Sequence, residues 1–305
     1  MSEKTLKKET VRYDGITKHL LDNMNDRMMI QFINSTFDRK FSSDSVVVRL
    51  ASETTDEETR QKRCDYFIKI NDDFFLIEIQ SYEDDEMAIR IFEYGSRGAM
   101  LHSLNKSGSD TIELQLPEPV VFYLRKEGTV HDRLSVKIRR TGSEETFDYE
   151  AKVVYIEDYD FDSLMEKNML PLVPFYPMRY EKMLKRKHSE QDEKDMLTDL
   201  NTCYEKLKKA VQNKIIGGSY FQYMSMSMSN VLKGMIERMK QQGHVYNEEE
   251  AKKVMQKMID EPMEIIDIFG ALKESREEGR EEGRVAGREA EQQRIASTLK
   301  SMGMS

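Results

Sequence analysis

Asp65, Glu78 and Gln80 are polar side chains set in or beside two runs of strand-forming residues, Tyr66–Ile70 and Phe74–Ile79. An acid inside an apolar strand breaks the burial rule, and such breaks concentrate at functional sites. Glu78 and Gln80 are two apart, so on one strand they share a face. Between the runs, Asn71-Asp72-Asp73 carries turn chemistry. A two-residue turn at Asp72-Asp73 makes Asn71 face Phe74, which puts Asp65 opposite Gln80 and beside Glu78. A slip of one residue would move Asp65 to the other face. Two carboxylates on adjacent strands form a hard oxygen site for Mg²⁺ or Mn²⁺. Such an ion acidifies a bound water and stabilises charge on a phosphoryl oxygen, while Gln80 orients that water or contacts the phosphate. The spacing equally fits a structural arrangement in which Asp65 caps the strand and Glu78 and Gln80 face solvent. Taken alone, it leaves both open.

The surrounding elements must hold this hairpin. Arg12–Phe41 has apolar residues at helical spacing and predicts one helix, with Asp14 at its start as an N-cap or macrodipole partner. Ser45–Ala51 predicts a strand, Ser52–Lys62 an exposed loop, and Glu83–Lys106 a helix closed by the turn residues Asn105–Ser109. Strands follow at Pro119–Leu124, Leu134–Arg139 and Tyr149–Ile156. This order predicts an α/β fold, a mixed sheet with helices packed on it. Three prolines in Met169–Glu181 predict an irregular segment and a domain junction. Helices then follow at Tyr180–Lys187, Asp192–Lys214, Tyr220–Gln241 and Asn247–Ile259. In the third of these, Phe221, Met224, Met228, Val231, Leu232, Met235, Ile236 and Met239 form a packing stripe rather than a thioether copper site. In the tail, Gly279, Gly283 and Gly287 recur at the spacing of Arg280, Arg284 and Arg288. That repeat reads either as a solvated, marginal helix or as a self-associating arm.

Composition narrows the class. The 305 residues are 38% hydrophobic and 34% charged, with no apolar run long enough to span a membrane. Cys64 and Cys203 form neither a zinc spacing nor a disulfide framework, which suits a reducing cytoplasm. The formal net charge of −9 counts against strong non-specific binding to DNA. His19, His102, His131, His188 and His244 are scattered and give no triad context for a nucleophilic serine or cysteine.

The segments RCDYFIKINDDFFLIEIQ, AIRIFEYGSR, VPFYPMRY and EEGREEGR together resemble the PD-(D/E)XK nuclease superfamily, in its recombination-promoting nuclease or putative transposase branch. The resemblance covers essentially the whole chain. It implies a restriction-endonuclease-like mixed sheet flanked by helices, followed by an all-helical C-terminal region. Residues 1–180 would be nuclease-like, 181–272 helical, and 273–305 a charged tail. Asp65 and Glu78 would bind Mg²⁺ or Mn²⁺, with the Ile79 backbone carbonyl as a third ligand and Asp14 assisting from the first helix. Gln80 stands where the wider superfamily has lysine. It brings an amide but no cation. Arg90 and Tyr94 match the R…Y of the following helix, and Arg90 would contact phosphate or pair with Glu86 or Glu93. The implied activity is metal-dependent cleavage of DNA, with homo-oligomers formed through the C-terminal helices and tail. The alternative is a catalytically inactive member that binds and assembles.

Overall fold

The computed structural model describes residues 13–50, 66–102, 112–186, 188–241 and 249–261. Six runs of apolar, β-prone residues form one mixed sheet: β1 (Val47–Leu50), β2 (Tyr66–Ile70), β3 (Asp73–Gln80), β4 (Glu118–Tyr123), β5 (Arg133–Arg139) and β6 (Thr146–Tyr155). Their spatial order is β1-β2-β3-β4-β6-β5. The β3–β4 and β4–β6 pairs are parallel, and the other three are antiparallel. Central strands covered on both faces read as near-continuous apolar runs, as β3 and β4 do. Edge strand β5 instead alternates half-buried and exposed residues.

The hairpin turn lies one residue earlier than the sequence reading places it. Ile70 faces Asp73 and Tyr66 faces Ile77, so the turn residues are Asn71 and Asp72. Asn71 sits at φ 53°, a left-handed conformation that asparagine tolerates. Its backbone N–H donates to the Val46 carbonyl at 2.9 Å, and its Oδ1 accepts from the Val46 N–H at 3.0 Å. These bonds tie the turn to the start of β1. The ladder therefore shifts by two residues, which preserves the face of every side chain.

The long N-terminal helix is in fact two, α1 (Tyr13–Asp22) and α2 (Asp26–Phe37). Two asparagines break it by competing for backbone groups. The Asn23 amide donates to the His19 carbonyl at 2.7 Å, and Asn25 caps α2 by accepting from the Met28 N–H at 2.9 Å. Helix α3 (Met87–His102) connects β3 to β4 and covers one face of the sheet, against Phe67, Leu76, Val121 and Tyr149. Gly95 and Gly98 bring it close: a β-carbon on Gly98 would lie 2.3 Å from the Phe67 ring.

On the opposite face, α1 and α2 pack with Ile68, Phe75, Ile77, Val120 and Phe122. The proline-rich segment joins them there as a 3₁₀ helix, Leu170–Tyr180, buried from Leu170 to Met178. The expectation of irregular structure fails because proline's fixed φ lies within the 3₁₀ range. Helices α4 (Phe161–Glu166), α5 (Glu181–Leu184), α6 (Glu190–Gln212) and α7 (Gly218–Gln241), with α8 (249–261), complete this side. A single buried cluster runs from α1 through the sheet to α7 and α8. The α7 stripe from Phe221 to Ile236 lies wholly inside it, as a packing surface. The Met239 side chain lies outside the described residues. No helix among the described residues is long and apolar enough to cross a membrane.

Candidate functional site

Period-2 alternation sorts β3 cleanly. Phe75, Ile77 and Ile79 point to the large cluster, whereas Phe74, Leu76 and Glu78 point to the α3 face. On that face Glu78 lies beside its parallel partner Val121. Its side chain is only 1% exposed, which excludes the solvent-facing arrangement. A carboxylate this deep requires compensation, and the sequence supplies it from two elements. Gln80, two residues along the same strand, donates from Nε2 to Glu78 Oε1 at 2.8 Å. Arg90, on the first turn of α3, donates from Nη2 to the same oxygen at 3.1 Å.

Arg90 does not pair with Glu86 or Glu93 as the sequence reading allowed. Its Nη1 donates to Asp84 Oδ2 at 2.9 Å, and its Nε reaches the Tyr94 hydroxyl at 3.4 Å. The guanidinium thus bridges a buried and a half-exposed carboxylate. Burial works against its charge, but the bonds to Tyr94 and Asp84 and the charge of Glu78 more than offset it, so Arg90 holds its proton more tightly than a free arginine. Asp84 is held below the usual carboxylate range by the Glu86 N–H, against some desolvation, with Arg90 adding to the effect. Asp84 starts the turn into α3, where the Met87 N–H donates to its carbonyl. Beside it, Glu83 accepts from the Tyr155 hydroxyl at 2.8 Å, which fastens this loop to the end of β6.

The structure therefore brings together Glu78, Gln80 and Arg90 and adds Asp84, which sequence reasoning missed. Its one signal was the acidic run Glu83–Glu86 directly ahead of a helix. Asp65 lies outside the described residues, and so does the Asp14 side chain; the Asp14 backbone occupies the second position of α1. Among the described residues, no group of three or more His, Cys, Asp or Glu side chains forms a metal-sized cluster. Glu78 and Gln80 still fit a share of a hard-cation site. A carboxylate and an amide on one face of a central strand present oxygen chemistry suited to Mg²⁺ or Mn²⁺.

Outside this centre, Cys203 is buried, and desolvation pushes its thiol up to about 12, which makes it inert. A second polar group, around Arg125 and Glu181, is buried among the C-terminal helices and was not legible in the sequence. No protein-family model, curated protein or solved structure matches the chain.

Proposed function

We propose that this protein is a metal-dependent DNA endonuclease of the PD-(D/E)XK class, of the mobile-element type that its sequence resembles. The observation that carries the reading is the convergence of an amide and a cation on one buried carboxylate oxygen of Glu78. Its setting, a mixed sheet with helices on both faces, is compatible with a restriction-endonuclease-like fold. Glu78 would hold Mg²⁺ or Mn²⁺ together with Asp65 and the Ile79 carbonyl, with Asp14 assisting. The ion would supply an activated water and charge stabilisation at the phosphoryl group. Gln80 fixes the Glu78 carboxylate and offers a hydrogen-bonding group to water or phosphate, but no charge. Arg90 supplies that charge: it sets a permanent cation against the same carboxylate and would contact the substrate phosphate.

The same arginine supports a second reading. A cation that bridges Glu78 and Asp84 compensates the buried acid without any metal. This is how a fold retained for binding and assembly would keep a buried acid. Plasmid nicking in Mg²⁺ or Mn²⁺ separates the two. The nuclease reading expects nicking by the wild type and its loss in Asp65→Ala and Glu78→Ala. Equal activity in all three proteins sinks it. No nicking by the wild type, together with oligomers that dissociate on deletion of residues after Lys273, selects the assembly role.

A further inference from the structure

Where β3 and β4 end, a second set of polar side chains lies between the sheet and the C-terminal helices. Arg125, which follows β4, is 2% exposed and clamps Glu181 of α5, with Nε to Oε2 at 2.5 Å and Nη2 to Oε1 at 3.3 Å. Its guanidinium lies 4.5 Å from the centre of the Tyr82 ring and 5.8 Å from that of Tyr13. Glu181 has two more cations around it: Lys185 Nζ at 3.7 Å and Arg238 Nη2 at 3.8 Å, both from Oε1. Desolvation would raise the Glu181 carboxyl, but Arg125 and then the other two cations hold it below its ordinary value. Lys185 Nζ also lies 3.8 Å from Glu127 Oε1, so two acids face these three permanent cations. The group carries a net positive charge in a protein that is acidic overall.

The hydrogen bonds do not balance either. Arg238 is near enough to Glu181 for an ion pair but too far for a hydrogen bond. Its Nε and Nη2 are buried and find no acceptor, and the buried Tyr13 hydroxyl finds no partner. The Arg238 guanidinium stands 5.6 Å from the centre of the Tyr13 ring, so these unmet groups are neighbours. Leaving a charged donor without an acceptor in a buried site is costly, and native proteins rarely do so without a reason. Three unmet hydrogen-bonding groups and excess positive charge have one common remedy, a small anion with several acceptor oxygens. A guanidinium and a tyrosine hydroxyl both donate well to phosphate oxygens. Nor is the site sealed: the Tyr82 residue is 49% exposed, and the side chains of Lys185 and Arg238 are 35% and 30% exposed.

We propose that Arg238, Tyr13, Arg125 and Lys185 form a binding site for a phosphate group, distinct from the Glu78 centre. The Tyr82 ring packs on Arg125, and Glu181 holds Arg125 in place. The site does not depend on the reaction assigned to Glu78. Its donors belong to α1, α7, the C-cap of α5 and the end of β4, and none of them touches Glu78, Gln80 or Arg90 in the bonds described above.

The test is calorimetric titration of the full chain with inorganic phosphate at constant ionic strength, using chloride as the control anion. The expected result is saturable binding to the wild type, weakened about tenfold or more in Arg238→Gln. Tyr13→Phe, a smaller change that keeps the ring, is expected to weaken it several-fold and serves if Arg238→Gln does not fold. Glu78→Gln is expected to bind phosphate like the wild type. That arm keeps this proposal apart from the nuclease reading, because either can fail while the other stands. Competition identifies the source of the phosphate. Displacement by a 5′-phosphorylated oligonucleotide but not by its unphosphorylated twin assigns a nucleic-acid terminus. Displacement by both assigns a backbone phosphate, and displacement by neither assigns a free phosphate. Absence of saturable binding would show that the chain meets these donors itself and would overturn the proposal. Undiminished binding in both Arg238→Gln and Tyr13→Phe would place the anion elsewhere, with the same consequence.

Discussion

At the scale of single residues, Glu78 and Arg90 depend on each other. Removing one member of a buried pair leaves the other uncompensated, at a cost of about 3 kcal/mol. Arg90→Met is therefore expected to lower stability by that order in a urea melt at pH 7. The double variant Glu78→Gln with Arg90→Met should recover much of the loss, and a double variant no more stable than Arg90→Met would show that the pair is not coupled. His188 gives a dependence on pH. Its Nδ1 lies 2.8 Å from the Arg186 carbonyl and its Nε2 2.8 Å from Glu193 Oε1, two acceptors that only the protonated ring can serve at once. The Arg186 carbonyl first, and then Glu193 against some desolvation, raise its pKa above the ordinary 6.5. The resulting stabilisation is fully present below the unfolded pKa and fades as pH rises through the folded one. His188→Ala should flatten the stability profile from pH 6 upward, and an unchanged slope would remove this histidine from the account. Of these two residue pairs, neither was legible. Alternation showed that Glu78 and Gln80 share a face, but which cation meets Glu78 depends on the rotation of α3 above the sheet.

At the scale of elements, much of the chain could be read directly. The six strands follow runs rich in β-branched and aromatic residues. The errors came where side chains override the pattern. Asn23 and Asn25 cut a helix that apolar spacing alone would continue, and prolines at three-residue intervals wind a 3₁₀ helix instead of a loop. Asn71 moved the turn by taking a left-handed backbone and bonding to β1. The docking of α3 offers a clean check. Gly98→Ala gains up to about 1 kcal/mol in helix propensity but drives a β-carbon to 2.3 Å from the Phe67 ring. Overpacking of a tight core costs about 1–3 kcal/mol, so net destabilisation is expected in a denaturant titration. Stabilisation by this substitution would show that the ring gives way freely.

At the scale of the whole molecule, the sheet and the C-terminal helices share one core. Leu200, Tyr204, Phe221, Met228 and Leu232 belong to the same buried cluster as Ile68, Phe75 and Phe122. Such joint burial was beyond the sequence, because periodicity shows that a face is apolar but not what covers it. A chain ended at residue 180 should therefore expose that surface and lose cooperative unfolding, as followed by near-ultraviolet circular dichroism. A sharp, native-like melt of the fragment would show that the first 180 residues stand alone. The position of Glu78 also orders events in time. During synthesis it leaves the ribosome twelve residues before Arg90, and Val121, its neighbour on β4, follows later still. The β2–β3 hairpin can pair while the acid is still in water, where its charge needs no partner. When α3 later folds onto the sheet, the same movement that removes the water delivers the arginine, so the nascent chain has no need to hold Glu78 both dry and alone.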